Sequence, residues 1–239
     1  MTELLFRNDA YETRAEATVV AHTPEGGIVL DGSLFYATGG GQPGDSGHLE
    51  WGENSLKIAT AVKTLDGDIA LVPAEAARLP DVGTQVTQVL DWDRRHRHMR
   101  VHTALHLLSV VIPLPVTGGS ISTEKGRLDF DMPEAPSDKE TLEAQLNELI
   151  DRDLEVHESW ITDAELAAKP ELVKTMSVKP PMGAGQVRLI GIGRDADQID
   201  LQPCGGTHVA RTGEIGRVRI GKVEKKGKQN RRVNIHLEE

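Results

Sequence analysis

The chain reads His102-Thr103-Ala104-Leu105-His106 near its middle and Cys204-Gly205-Gly206-Thr207-His208 near its end. Each stretch sets two potential metal ligands at i and i+4. On a helix that spacing puts both side chains on one face, one turn apart. Three imidazoles and one thiolate make a four-ligand set that suits Zn²⁺. Ninety-seven residues lie between His106 and Cys204, so the fold must bring the two halves together for one site to exist. Gly205-Gly206 allows the second stretch to bend tightly around an ion.

Around the first stretch the pattern is helical. Asp91 or Asp93 serves as N-cap, and the helix ends before Pro113. Val101, Leu105, Leu108 and Ile112 form a core-facing stripe, with His102 and His106 at its border. His98 aligns with them one turn earlier and reads as a surface residue or an accessory ligand.

Residues 1–90 read as β-rich. Short apolar or β-branched runs occur at 17–21, 27–30, 34–36, 56–62, 69–72 and 85–90, separated by turn signals such as Asp31-Gly32 and Asp66-Gly67-Asp68. Many short strands in so few residues predict a small barrel or sandwich. Within them lies Thr38-Gly39-Gly40-Gly41-Gln42-Pro43-Gly44-Asp45-Ser46-Gly47, with five glycines in ten residues. It lacks the Gly-Lys-[Ser/Thr] of a P-loop and the strand–turn–helix setting of a dinucleotide fingerprint. Two readings stay open: a tight hairpin connection, or a loop presenting its amides to an anion or carbonyl.

Beyond Pro113 the pattern gives a strand at 116–119 and another at 127–131. A helix follows, with Ser137 and Glu140 as a capping box, and a shorter one starts at Thr162 and Glu165. Strands return at 187–190, 218–220 and 233–237, the last two flanking the basic tip Lys225-Lys226-Gly227-Lys228-Gln229-Asn230. The domain boundary falls near residue 90, giving domains 1–90 and 91–239.

With 239 residues, 38% hydrophobic and 27% charged, the composition suits a globular protein with a mostly aliphatic core, since aromatics make up only 3%. No run approaches the roughly 18 apolar residues of a membrane span, and no secretory signal is visible, so a cytoplasmic protein with no membrane partner is expected. The single cysteine excludes an intramolecular disulfide. A net charge of −10 argues against indiscriminate nucleic-acid binding. It conceals two basic patches: eight Lys/Arg against the single acid Glu224 between Arg217 and Arg232, and Arg94, Arg95, Arg97 and Arg100 leading into the histidine pair.

Known zinc chemistries narrow the reading. Thr103 stands where the zincin His-Glu-x-x-His motif needs its general base. A zinc deaminase requires a second cysteine after Pro203-Cys204, and none exists. A papain-like Cys–His pair leaves both helical histidines unexplained.

His102-Thr103-Ala104-Leu105-His106-Leu107-Leu108 and Cys204-Gly205-Gly206-Thr207-His208-Val209 resemble the paired zinc motifs of the alanyl-tRNA synthetase editing domain. Phe35 to Gly47 is similar to the glycine-rich motif of that branch. Gly126 to Phe130, Thr212 to Gly216 and Lys226 to Val233 also match, so the resemblance runs along nearly the whole chain. It points to the AlaX-type alanyl-tRNA editing proteins, free-standing relatives of that domain, in their medium-length form.

The resemblance implies an α+β fold, with an N-terminal small β-barrel-like domain. An editing domain of the threonyl/alanyl-tRNA synthetase type follows, with an antiparallel sheet and packed helices. It implies an aminoacyl-tRNA deacylase, an ester hydrolase serving translation fidelity. Its partner is mischarged tRNA(Ala), chiefly Ser-tRNA(Ala), with Gly-tRNA(Ala) as a second candidate. One Zn²⁺ per chain is held by His102, His106, Cys204 and His208. Thr38, Gly39, Gly40 and Gln42 are the candidate catalytic residues, with Thr38 and the glycines facing the amino acid; Gln42 and Asp45 would order the loop, although Asp45 reads first as a turn residue. Arg94, Arg95, Arg97, Lys225, Lys226, Lys228, Arg231 and Arg232 are the candidate tRNA contacts. Ala37 departs from the proline usual in the glycine-rich motif. Val116 to Ser122 is atypical, so no substrate contact is carried over there. The alternatives are deacylation of another mischarged aminoacyl-tRNA, and a zinc-bearing tRNA-binding accessory protein without activity. Oligomeric state is not set by the sequence.

Overall fold

A computed structural model describes residues 1–136, 138–176 and 185–238. It is α+β and divides into two compact units, Met1–His96 and Arg97–Glu239.

In the first unit, β1 (Glu3–Leu4) and the single-turn α1 (Leu5–Asn8) precede β2 (Arg14–His22), β3 (Ile28–Leu30), β4 (Gly32–Ser33), β5 (Gly47–Trp51), β6 (Asn54–Lys63), β7 (Ile69–Pro73) and β8 (Gln85–Leu90). Six of them close a barrel in the order β2-β3-β7-β6-β5-β8. Alternation along the strands drives Val19, Leu49, Leu56, Ile58, Val86 and Leu90 inward around Ile28, Leu30 and Leu71. Gln88 shares the inward row of β8 and is fully buried. Its side chain accepts from Leu34 N (2.9 Å) and donates to Gly32 O (3.1 Å), so the buried amide is satisfied.

Leu34 to Tyr36, expected as a strand, is instead a buried irregular segment. The reason lies in its amides. Leu34 N donates to Gln88 Oε1, Phe35 N to Ser33 Oγ and Tyr36 N to Asp45 Oδ2, so side chains replace a strand partner.

Helix α2 (Trp92–Val111) starts where the sequence placed it. Asp91 caps it, its Oδ1 accepting from Arg94 N and its carbonyl from Arg95 N. The expected one-sided stripe is too narrow, because residues 101 to 109 are buried around the whole circumference. His98, read as a surface residue, is 1% exposed.

The second unit continues with β9 (Val116–Ile121), β10 (Lys125–Asp131), α3 (Lys139–Asp151), β11 (Val156–Thr162), α4 (Asp163–Ala167), β12 (Gln186–Ile192), β13 (Asp200–Pro203), β14 (Val218–Lys226) and β15 (Asn230–Leu237). They build two antiparallel sheets, β14-β15-β10-β9 and β11-β12-β13. Gly126 lets α2 approach β10 closely: a Cβ there would lie 2.6 Å from Val101 Cγ1 and 3.1 Å from Leu105 Cδ1. Helix α3 covers the free edge of β14. Asn147 exchanges hydrogen bonds with both backbone groups of Val218, and Glu143 accepts from Ile220 N.

The Thr162/Glu165 capping box is present at α4. Ser137 lies outside the described residues, and Asp138 caps α3 by accepting from Thr141 N. Strands β11 and β13 escaped the sequence reading because Val156–Thr162 lacks clean alternation and Asp200–Pro203 is only four residues long. No helix among the described residues is long and apolar enough to cross a membrane.

Candidate metal centre

Helix α2 carries His102 and His106 on one face, and the turn after β13 carries Cys204 and His208. The fold brings all four together, with one ligand atom from each within 4.8 Å of the others. Cys204 Sγ lies 3.5 Å from His102 Nε2 and 3.2 Å from His208 Nε2. A tetrahedral ion with metal–sulfur bonds near 2.3 Å and metal–nitrogen bonds near 2.0 Å would set S and N about 3.5 Å apart, so the donor set fits such an ion. The histidines are 6–8% exposed and Cys204 is half-buried.

The residues behind the ligands fix which nitrogens face the centre. Thr103 has one hydroxyl proton, which goes to Met99 O at 2.9 Å. Its oxygen therefore accepts from Val209 N at 3.3 Å and from His208 Nδ1 at 3.1 Å. With the proton on Nδ1, His208 Nε2 carries the lone pair beside Cys204. Thr103, which in the sequence counted only as a missing general base, is thus what orients a ligand.

His106 Nδ1 lies 3.0 Å from Asp200 Oδ2, and a carboxylate can only accept there. Asp200 is in turn bound by Gln202 Nε2 (2.8 Å, to Oδ2) and by Lys174 Nζ (2.5 Å, to Oδ1). None of these supports was singled out from sequence. Asp200 sits four residues before Cys204, but only β13 turns that spacing into a contact with α2.

Electrostatics keeps the cysteine in its ligating form. Burial by itself would raise the Cys204 thiol, but the neighbouring imidazoles of His102 and His208 and hydrogen bonds from His102 and His106 pull it well below the usual range. Burial also opposes protonation of His106, yet the Asp200 carboxylate and the Cys204 thiolate outweigh it and raise its pKa to about 9, so an ion bound at Nε2 would take the place of that proton. His208 is held down at about 3 by burial and by the neighbouring His102 charge.

The glycine-rich loop belongs to the first unit. Gly39 and Gln42 exchange backbone hydrogen bonds at 2.9 and 3.1 Å across Gly40 (φ 57°) and Gly41 (φ 84°), a type I′ hairpin turn. Thr38 is exposed; its Oγ1 accepts from Gly44 N and donates to Ala61 O. Gln42 is buried. Gly44 has no substitute, because a Cβ would stand 2.2 Å from Ala61 O.

Asp45, taken as a turn residue, instead anchors the loop. It is 1% exposed, and its Oδ2 accepts from Tyr36 N (2.7 Å) and from Arg95 Nε and Nη2 (2.9 and 2.5 Å). That corrects a second expectation. Arg95 is fully buried, and its guanidinium also donates to Ala10 O and Leu34 O, so it presents no exposed face to a phosphate.

The other basic candidates separate by their partners. Arg232 forks onto Asp129 at 2.7 and 2.9 Å, and Arg231 donates to Asn230 O and Pro133 O. Arg94 Nη1 donates to Gly44 O at 2.8 Å, while Arg97 is half-buried. Lys225, Lys226 and Lys228 stand exposed around Gly227 (φ 81°) at the β14–β15 tip, with Lys226 Nζ 3.7 Å from Glu224 Oε2.

Comparison with known proteins accords with this architecture. Residues 187–234 match the family described as the threonyl and alanyl tRNA synthetase second additional domain. Residues 8–94 match the class II (A) tRNA synthetases. The alanyl-tRNA editing protein AlaX-M of Methanosarcina acetivorans is 35% identical over 99% of both chains. The protein of the same name from Saccharolobus solfataricus is 34% identical over 98% of both. The alanine–tRNA ligase of Pyrobaculum calidifontis is 32% identical over 94% of this chain but only 25% of its own length, so the likeness is confined to one portion of that larger enzyme. Identity of 34–35% along nearly the full length of both chains places this one in the family of AlaX-M alanyl-tRNA editing proteins.

Proposed function

We propose that the protein is an aminoacyl-tRNA deacylase that hydrolyses mischarged tRNA(Ala), chiefly Ser-tRNA(Ala) and also Gly-tRNA(Ala), with one Zn²⁺ held by His102, His106, Cys204 and His208. The observation that carries this reading is the convergence of those four ligands in a chain of the alanyl-tRNA editing family.

The bond to be broken is an aminoacyl ester, which is already activated. The site therefore needs positioning and modest oxyanion stabilisation more than a strong nucleophile. Bound zinc would supply a Lewis acid that orients the ester or a water. The chain's own residues do the rest. Thr103 and Asp200 fix the two imidazoles with Nδ1 as donor, leaving Nε2 for the ion. Burial opposes ionisation of Asp200, but His106 first and Lys174 second hold its carboxyl below the ordinary range.

Thr38, Gly39 and Gly40 are assigned to amino-acid selection, the exposed turn at Thr38–Gly41 favouring small side chains, and the buried Gln42 to ordering that turn. Lys225, Lys226 and Lys228 are assigned to acceptor-stem phosphates, with Arg231 and Arg232 beside them, and Arg94 and Arg97 to the CCA end.

The test is deacylation of Ser-, Gly- and Ala-tRNA(Ala) by purified protein, repeated with His102→Ala and after chelation. Ser-tRNA(Ala) should be hydrolysed and Ala-tRNA(Ala) spared, with at least about a hundredfold loss in the variant and the chelated protein, since ligand loss removes the electrostatic positioning. No hydrolysis of Ser-tRNA(Ala) under any metal condition would leave a tRNA-binding accessory protein instead.

A further inference from the structure

The Cys204–His208 turn poses a mechanical problem. Its ligand atoms must aim at one point, yet Gly205 and Gly206 lie between them with the widest backbone freedom of any residue. Neither glycine is among the positive-φ positions of the chain, so no left-handed conformation locks the turn. Something outside the turn must define it.

Thr103 holds the His208 end, and Arg188, on β12, holds the Cys204–Gly206 end. Its Nη1 donates to both Cys204 O (3.1 Å) and Gly206 O (2.9 Å). Its own carbonyl accepts from Cys204 N at 3.2 Å. Its Nε donates to Glu158 Oε2 at 2.7 Å across the β11–β12 pair. The side chain is 10% exposed, so the guanidinium is packed into the concave side of the turn and not waving in solvent.

We propose that Arg188 is a positioning residue of the metal centre: it clamps the carbonyls on either side of Gly205 and so holds Cys204 and His208 converged before any ion arrives. This rests on reading the four residues as a metal centre. One nitrogen bridging two carbonyls while Nε meets a carboxylate needs the planar fork of arginine. A lysine has a single ammonium and can reach the carbonyls or Glu158, not both in that geometry. Glu158 is 40% exposed and only steadies the fork, so its loss should matter little.

The experiment uses the whole chain with Arg188→Gln, Arg188→Lys and Glu158→Gln. Zinc affinity is measured by chelator competition. The alkylation rate of Cys204 is measured in metal-free protein, where it reports on this residue alone because the chain has one cysteine. Thermal melting confirms that each variant is folded.

Arg188→Gln should bind zinc about 10–100-fold more weakly, the range for lost ligand support. Its metal-free thiol should alkylate several-fold faster as the turn opens. Arg188→Lys should fall between Gln and wild type, and Glu158→Gln should stay within about threefold of wild type. Folded Arg188→Gln with wild-type zinc affinity and wild-type alkylation would overturn the proposal. Should Arg188→Gln not fold, wild-type values in Arg188→Lys overturn it equally. Wild-type protein that binds no zinc would remove the metal reading, while the alkylation rates still decide whether the clamp exists.

Discussion

Arg95 in the first unit and Arg188 in the second each hold a glycine-containing turn, Arg95 through the carboxylate of Asp45 and Arg188 through the carbonyls of Cys204 and Gly206, but they do so at different depths. Arg95 has no exposed surface and is matched by Asp45, itself 1% exposed. Arg188 is 10% exposed and its carboxylate partner Glu158 is 40% exposed. In the first case the ion pair is sealed inside the unit that it organises, so the loop and the fold stand or fall together. In the second the carboxylate is wet, and what the arginine fixes is a local turn bearing two ligands. The same side chain therefore serves architecture in one place and a site in the other.

The widest separation between the two should come from removing each carboxylate. Asp45→Asn leaves Arg95 buried without a counter-charge and should cost about 3–5 kcal/mol. Glu158→Gln exposes nothing buried and should cost less than about 1 kcal/mol. Urea denaturation of both variants measures the difference. Equal losses would mean that depth does not distinguish the two arginines.

Next in size is a variant in the ligand support of the second unit. Asp200→Asn keeps the shape but loses the acceptor that fixes His106 Nδ1, and leaves Lys174 beside a neutral amide. Zinc affinity should fall about 10–100-fold with the far-ultraviolet spectrum unchanged. A loss of fold instead would show that this support, like Asp45, is architectural.

A smaller effect is expected at the sheet beneath the basic hairpin. Asp129 accepts forks from Arg127 and Arg232, and although partial burial opposes it, these arginines hold its pKa below the ordinary carboxylate value. A depressed carboxylate contributes stability that is complete above its unfolded pKa, near 3.9, and disappears as pH falls through the lower folded value. Asp129→Asn should therefore cost about 1–2 kcal/mol at neutral pH, typical of a lost charged hydrogen bond. The gap to wild type should close on acidification below about pH 4. A gap that persists in acid would mean that packing, not charge, is what was lost.

The sequence made visible the parts of this molecule that are local or repeated. Strand alternation announced the barrel, Asp91 announced the helix, and the i, i+4 pairs announced the four candidate ligands that β13 and α2 bring together. What stayed hidden depends on contacts between residues far apart in the chain. Arg95 looks like one more cation in a basic run until Asp45, fifty residues earlier, is seen against it. Arg188 sits in an ordinary strand, and only the β12–β13 pairing sets it under Cys204. Leu34–Tyr36 has the composition of a strand, and the side chains of Ser33, Asp45 and Gln88 take its amides instead. Charge runs misled for a related reason: side-chain count does not tell which guanidinium groups already have acceptors.

That last point gives the smallest and most selective contrast. Residues 1–96 carry seven Lys/Arg against fifteen Asp/Glu, leaving 20 against 22 in residues 97–239. The second unit therefore has the more favourable field for a polyanion, and its exposed cations gather at Lys225, Lys226 and Lys228. Each lysine that neutralises a phosphate contributes roughly 0.7–0.9 to the slope of log K against log salt. Replacing all three by alanine should reduce the slope for tRNA by about 2 and leave the melting temperature unchanged, because none of them is buried. Arg94→Ala should change the slope by less than about 1, since Nη1 is already committed to Gly44 O at 2.8 Å. Binding measured between low and moderate salt separates the outcomes. A larger change from Arg94 than from the three lysines would move the phosphate contacts to the first unit, against its own negative field.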